Sequence, residues 1–253
     1  MNYPISQLPE RAQKPREAGY TMIMDKGMSV REAEDMLETA IEYIDVVKLG
    51  WATSAVTHNL DKKIAVYKKY GVPIYLGGTL LEAFYIRGQI DDYRRILEKY
   101  EITHVEVSDG SIDIDEKDKC DLITSFAKDY TVLSEVGSKS TNKIIAPYQW
   151  VAMMQRELDA GAWKVIAEAR ESGTVGMFRA DGEVRSDLIE EILVDIPSEK
   201  IIWEAPLKSQ QVWFIKLLGT NVNLGNIAPN EAIPLETLRL GLRGDTFHTF
   251  LSK

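Results

Sequence analysis

The feature that most constrains this chain is a regular alternation of strand-length apolar runs with helical segments, repeated along the whole sequence. Runs rich in Val and Ile occupy 20–25, 44–48, 73–76, 104–107, 131–135, 164–168, 201–204 and 221–224. Such near-continuous apolarity is what strands need when both faces of a parallel sheet are covered by helices. Between and after them, 29–43, 58–70, 91–100, 115–129, 147–160, 186–194, 208–218 and 229–240 carry apolar residues at helical spacing. In the first of these, Ser29 stands as an N-cap ahead of Val30, Ala33, Leu37 and Ile41. Each strand-plus-helix unit takes roughly 30 residues, the size of a βαβ repeat. Eight units in 253 residues predict an α/β fold, a single (β/α)8 TIM barrel over 1–253 with 1–18 as an N-terminal extension; such barrels run to about 250 residues. An open doubly wound sheet would carry G-x-G-x-x-G after its first strand, and Asp25-Lys26-Gly27-Met28 does not supply it.

Composition narrows the partners. With 30 Lys+Arg against 39 Asp+Glu, the formal charge is −9, so duplex nucleic acid or an anionic membrane would be repelled over most of the surface. A small anion remains possible, because a substrate feels the local field of a cleft more than the total charge. One cysteine, Cys120, rules out an intramolecular disulfide and any Cys-built metal cage, and three histidines make a His-rich site improbable. Residues 1–19 carry prolines and charges where a signal peptide would need an apolar core, and no apolar run reaches the roughly 18 residues of a membrane span. A cytoplasmic protein is expected.

Active sites of such barrels lie at the C-terminal ends of the strands, so those ends carry the functional reading. They are Asp25-Lys26-Gly27, Lys48-Leu49-Gly50-Trp51, Gly77-Gly78-Thr79, Glu106 through Gly110, Glu135 through Lys139, Glu168 through Gly173, Glu204-Ala205-Pro206 and Gly225-Asn226. Carboxylates recur at five of these ends and cations stand beside them at the first, second, fifth and sixth. Carboxylates without thiol or imidazole are the hard oxygen donors that suit Mg²⁺, which also bridges to anionic substrate oxygens. Glycines at 77, 78 and 225 allow backbone N–H groups near a phosphate. The competing reading of any one such charge is a structural ion pair. There is no G-x-S-x-G elbow, Walker sequence or H-E-x-x-H, and His104 begins a strand at the opposite end.

The segments Val47-Lys48-Leu49-Gly50-Trp51-Ala52-Thr53-Ser54-Ala55, Val105-Glu106-Val107-Ser108-Asp109-Gly110-Ser111, Glu168-Ala169-Arg170-Glu171-Ser172-Gly173, Glu204 through Gln211 and Leu238 through Phe247 resemble those of the phosphosulfolactate synthases. The resemblance runs in order from about Gly19 to Phe247 and supplies what composition and spacing do not, the substrate. It implies a (β/α)8 lyase, cytoplasmic and homo-oligomeric, with a trimer expected by analogy, that adds sulfite to phosphoenolpyruvate with Mg²⁺ to give (2R)-3-phosphosulfolactate, on a route to coenzyme M or sulfolactate. Sulfur would attack the methylene carbon, giving an enediolate stabilised by Mg²⁺ and then protonated, so no covalent nucleophile is needed. Lys139 matches the family position proposed for the proton donor; where two adjacent lysines are usual, this chain has Ser138 before it. Lys48, Arg170 and Glu171 complete the catalytic candidates. Lys26, Lys208, Ser209, Gln210, Gly225, Asn226 and Arg243 are expected to hold the substrate's anionic groups, and Asp25, Glu106, Glu135 and Glu168 the metal. The alternatives are another Mg²⁺-dependent phosphoenolpyruvate lyase or aldolase on the same barrel, and a non-catalytic interaction protein of the heat-stress-associated type.

Overall fold

The computed structural model describes residues 2–137, 145–169, 172, 174, 176–179 and 182–251. Eight parallel strands form the barrel predicted from the repeat: β1 (Thr21–Asp25), β2 (Val46–Leu49), β3 (Ile74–Tyr75), β4 (His104–Val107), β5 (Thr131–Val136), β6 (Lys164–Ala167), β7 (Ile201–Glu204) and β8 (Leu224–Ile227). Their ladder runs β3-β2-β1-β8-β7-β6-β5-β4, and β3 lies beside β4 without ladder hydrogen bonds. The helices are α1 (Val30–Ala40), α2 (Leu60–Lys69), α3 (Gly78–Tyr85), α4 (Ile90–Tyr100), α5 (Glu116–Phe126), α6 (Pro147–Asp159), α7 (Ser186–Asp195), α8 (Lys208–Leu218) and α9 (Ala232–Arg239). Ser29 caps α1 as read from the sequence, accepting from the Glu32 N–H at 3.2 Å, while the Glu32 carboxylate accepts from the Ser29 N–H at 2.7 Å.

Two elements differ from the sequence reading. Segment 77–79, read from the sequence as a strand end, leads into α3, which starts at Gly78 and precedes the helix expected at 91–100. Its first helical residue, Gly78, has no room for a side chain: an added Cβ would lie 2.0 Å from Ser108 Oγ and 2.8 Å from Glu106 Oε1. The last strand lies at Leu224–Ile227 rather than 221–224. Asn223 belongs to the turn beneath it, where its Nδ2 donates to the carbonyls of Glu199 and Ile201 at 3.1 and 3.0 Å and its Oδ1 accepts from the Tyr20 N–H at 3.0 Å.

Strand alternation divides the apolar residues into two cores. Outward-facing side chains meet the helices in the larger core, while Met22, Val46, Tyr75, Leu133, Ile166 and Ile202 fill a layer inside the barrel. Two residues further along five of those strands stand Met24, Lys48, Glu135, Glu168 and Glu204. The period of two that packs the interior therefore also aims a set of charges into the barrel's C-terminal mouth.

The opposite end is sealed by arginines. Arg239, fully buried, donates from Nη1 to the carbonyls of Thr220 and Val222, each at 2.7 Å, and from Nη2 to that of Tyr20 at 3.2 Å. The N-terminal segment joins it there: Arg11 Nε lies 3.1 Å from Glu236 Oε1 and Arg16 Nε 2.8 Å from Asp45 Oδ1. Replacing Arg239 by Leu leaves buried carbonyls without donors. That substitution is expected to cost about 3 kcal/mol, measured by urea denaturation; a loss under about 1 kcal/mol would contradict this reading of the seal.

Candidate active site

At the C-terminal end the barrel opens into a cleft of about 380 Å³ lined by Met24, Lys48, Trp51, Gly77, Gly78, Thr79, Ser111, Glu135, Glu168, Ser172, Glu204 and Asn226. Lys48 sets its ammonium among carboxylates from three other strands: 2.9 Å from Glu106 Oε2, 3.3 Å from Glu135 Oε2 and 3.8 Å from Glu204 Oε1. All four residues are buried. Burial alone would lower the Lys48 pKa, but Glu106, Glu135 and Glu204 outweigh it and hold the value well above the ordinary one. With those carboxylates around it, Lys48 places a positive charge at the centre of the mouth.

Glu135, Glu168 and Glu204 each present a carboxylate oxygen such that these oxygens lie within 4.8 Å of one another. Ligation at about 2.1 Å places the oxygens of one Mg²⁺ roughly 3–4 Å apart, so a small contraction would let this cage hold a hard divalent cation. The donor set is all carboxylate, which suits Mg²⁺ better than zinc or copper. The Glu204 Oε2 atom accepts from the Ala169 N–H at 2.9 Å, which aims the other oxygen at the cleft. Burial, opposed by Lys48 and reinforced by Glu135, pushes the Glu204 carboxyl up to about 7.

The remaining expected metal residues are engaged elsewhere. Glu106 bridges Lys48 and the start of α3, its Oε1 accepting from the Gly78 N–H at 2.6 Å. Asp25 is fully buried, its Oδ1 accepting from the N–H groups of Gly27 and Met28 at 2.8 Å and its Oδ2 from the Tyr67 hydroxyl at 2.8 Å, with Lys63 Nζ 2.5 Å away. Those contacts shape the β1–α1 turn, and the group of carboxylates that could hold an ion comprises Glu135, Glu168 and Glu204. In that group Glu204 takes the place expected of Asp25 and Glu106. Its signal was present, since it ends its strand as Glu135 ends its own, but nothing in one sequence ranks one strand-end carboxylate above another.

Deeper contacts hold the cage in place. Lys119 on α5 donates to the Glu135 carbonyl at 2.7 Å and to Asp109 Oδ1 at 3.0 Å, and it pairs with Glu157 at 2.8 Å. Glu82 on α3 accepts from the Ser108 hydroxyl and, at 2.8 Å, from the Ser111 N–H, pinning the loop after β4 at the rim of the cleft.

Of the residues expected to hold substrate, Asn226 lines the cleft. Lys26 stands exposed at the rim, its ammonium 5.0 Å from the centroid of the Trp51 ring, another cleft residue. Gly225 faces the barrel interior, where an added Cβ would lie 2.7 Å from Met22 Cε, so its lack of a side chain serves packing. Lys208 pairs with Asp245 at 3.1 Å on the surface. Ser209 and Gln210 border a separate hollow with Ser186 and Trp213, and Arg243 lies in the turn that follows α9, its carbonyl accepting from the Thr246 N–H at 2.8 Å. Lys139, Arg170 and Glu171 lie outside the described residues.

Sequence comparison resolves what family this barrel serves. The profile of (2R)-phospho-3-sulfolactate synthase matches residues 9–245. A phosphosulfolactate synthase of Bacillus subtilis is 40% identical over 244 residues, covering 95% of this chain and 97% of the relative. One of Methanocaldococcus jannaschii is 43% identical over 238 residues, 91% of this chain and 94% of the relative. The chain belongs to the phosphosulfolactate synthase family. Among solved structures, 3-hexulose-6-phosphate synthase from Salmonella typhimurium superposes with a TM-score of 0.57 at 14% identity, covering 88% of this chain and all of that one. Phosphoenolpyruvate phosphomutase from Streptomyces platensis gives 0.51 at 12%, covering 85% of this chain and 78% of that one. At those identities the likeness establishes the barrel alone.

Membership in an enzyme family gives the buried carboxylates of the mouth a chemical reason, and Glu204 offers a test of their environment. Its folded-state value of about 7 exceeds the ordinary 4.5, so between those limits the folded chain holds a proton that the unfolded chain has released. In EDTA, stability is therefore expected to fall as pH rises from about 4.5 to about 7. Chemical denaturation across a buffer series should show that slope flattened in Glu204→Gln; an identical slope in the variant would contradict the assignment.

Proposed function

We propose that this protein is a Mg²⁺-dependent synthase that adds sulfite to phosphoenolpyruvate to form (2R)-3-phosphosulfolactate. The observation that carries the reading is the cage of Glu135, Glu168 and Glu204 beside Lys48, set in the mouth of a barrel that belongs to this family. When bound, Mg²⁺ would supply Lewis-acid neutralisation of the charge gathering on the substrate carboxylate. The three glutamates would hold it, and Lys48 offsets their mutual repulsion.

The reaction is an addition. The sulfur lone pair of sulfite forms the carbon–sulfur bond at the methylene carbon, the double-bond electrons move toward the carboxylate as an enediolate, and a proton is then delivered to the phosphate-bearing carbon. No bond to the protein is made, in keeping with a site whose described residues include no thiol or imidazole. Lys48, ion-paired with Glu106, Glu135 and Glu204, is placed to offset the negative charge of the mouth. Lys139 is assigned the donation on its place in the family motif, with Arg170 and Glu171 from the segment after β6 completing the catalytic set. Lys26 at the rim, with Lys208 and Ser209 at the start of α8 and Arg243 after α9, would gather phosphate and sulfite against their repulsion.

Purified protein with Mg²⁺ is expected to consume phosphoenolpyruvate only when sulfite is present, and ³¹P NMR should show one new phosphate ester. Consumption without sulfite, or none at high enzyme concentration, would sink the assignment. Lys139→Ala is expected to lower kcat by at least roughly 10²-fold with the melting temperature and phosphoenolpyruvate binding retained; unchanged turnover would mean that another group delivers the proton.

A further inference from the structure

One residue of the cleft occupies a backbone conformation that its strand does not ordinarily allow. Asn226 lies within β8 with φ +54°, in the left-handed region that a non-glycine side chain rarely adopts. The cause is an extra residue in the strand. Thr21 of β1 registers with Leu224 and Ile23 with Ile227, so two steps along β1 face three along β8. This is a β-bulge, a device that re-aims a side chain and recurs beside active sites.

The bulge reverses the direction of Asn226. Leu224 and Ile227, three positions apart, both belong to the outer core against the helices, whereas strict alternation would set them on opposite faces. Gly225 points inward at Met22 and Ile202. Regular geometry would then send Asn226 out among the helices; the inserted residue brings it to the mouth, beside β7, where Glu204 registers with Gly225.

There the side chain is incomplete. Asn226 is 7% exposed, and its buried Oδ1 has no hydrogen-bond partner. A buried acceptor without a partner, on a residue that a bulge re-aims into a cleft, points to a ligand that completes it. An acceptor oxygen is completed by a donor or a cation, and it shares the cleft with the carboxylates of Glu135, Glu168 and Glu204, which attract a cation. A hard divalent cation, or a water bound to one, satisfies the amide oxygen and the carboxylates together.

We infer that Asn226 supplies a fourth, neutral oxygen to the cation site formed by Glu135, Glu168 and Glu204, and that the bulge in β8 exists to present it. The inference rests on reading the glutamate cage as a cation site. It goes beyond that reading in assigning a donor from β8, and it replaces the phosphate-binding role expected for this residue.

The test separates ligand from scaffold because glycine tolerates the left-handed conformation. Mn²⁺ binding, read by electron paramagnetic resonance of the free ion without substrate, is compared for wild type, Asn226→Gly and Asn226→Asp, alongside melting temperatures in EDTA. The Gly variant is expected to melt at or above the wild-type temperature while its Mn²⁺ dissociation constant rises about 10-fold or more. The Asp variant, which keeps an oxygen there, should bind at least as tightly as wild type. Unchanged Mn²⁺ affinity in the Gly variant overturns the assignment, as does an Asp variant as weak as the Gly one. Weakened phosphoenolpyruvate binding with intact Mn²⁺ binding would assign the amide to the substrate's anion instead. A wild type that takes up no Mn²⁺ removes the cation site itself, while product formation from phosphoenolpyruvate and sulfite would still stand for the family activity.

Discussion

The ammonium of Lys48, held between Glu106, Glu135 and Glu204 from three other strands, is the interaction on which the arrangement of the mouth depends. Bringing several carboxylates out of water onto one barrel axis costs several kcal/mol per ion unless positive charge opposes them. Lys48 provides that opposition from within the scaffold, on a strand that starts in the apolar interior layer at Val46. The same interaction fixes Glu106 so that its second oxygen can take the first N–H of α3. Charge balance in the mouth and the start of a helix are thereby one structural unit.

The barrel explains why these residues meet. Parallel strands aim every second residue inward, so the layer that packs Val46, Leu133, Ile166 and Ile202 is followed, two residues on, by Lys48, Glu135, Glu168 and Glu204. Below, the interior is apolar; above, it is charged and opens on a cleft. Arg239 and the N-terminal segment close the far end through hydrogen bonds to backbone carbonyls and ion pairs. The two ends thus divide the work, one holding the strands together and the other carrying charge that an enzyme of this family has reason to keep.

Much of this was legible in the sequence. The alternating runs gave the barrel and all its strands, and seven strands lie within a few residues of where periodicity places them. The exception, β8, is the strand whose glycine looks like a turn but is needed because a side chain would strike Met22, and whose Asn226 breaks the alternation that makes strands readable. For the site, strand-end position identified Lys48, Glu106, Glu135 and Glu168 as a group. It could not show that Asp25 is fully occupied by Lys63, Tyr67 and two backbone N–H groups, since Lys63 and Tyr67 come from a helix at long range. Nor could it show that Glu204 completes the cage or that Lys208 turns to Asp245 at the surface. Side-chain partners across elements are set by barrel shear and helix placement, which the pattern of one chain does not encode residue by residue.

The central claim is that the mouth of this barrel is built around a divalent cation held by Glu135, Glu168 and Glu204. The most direct measurement is a crystal structure of the protein soaked in Mn²⁺, with anomalous diffraction recorded at the manganese edge. The account predicts one strong anomalous peak among those three carboxylates, with oxygens at about 2.1–2.2 Å and Lys48 retained beside Glu106. A mouth without an anomalous peak, the Lys48 ammonium drawn into the centre of the three carboxylates, would contradict it.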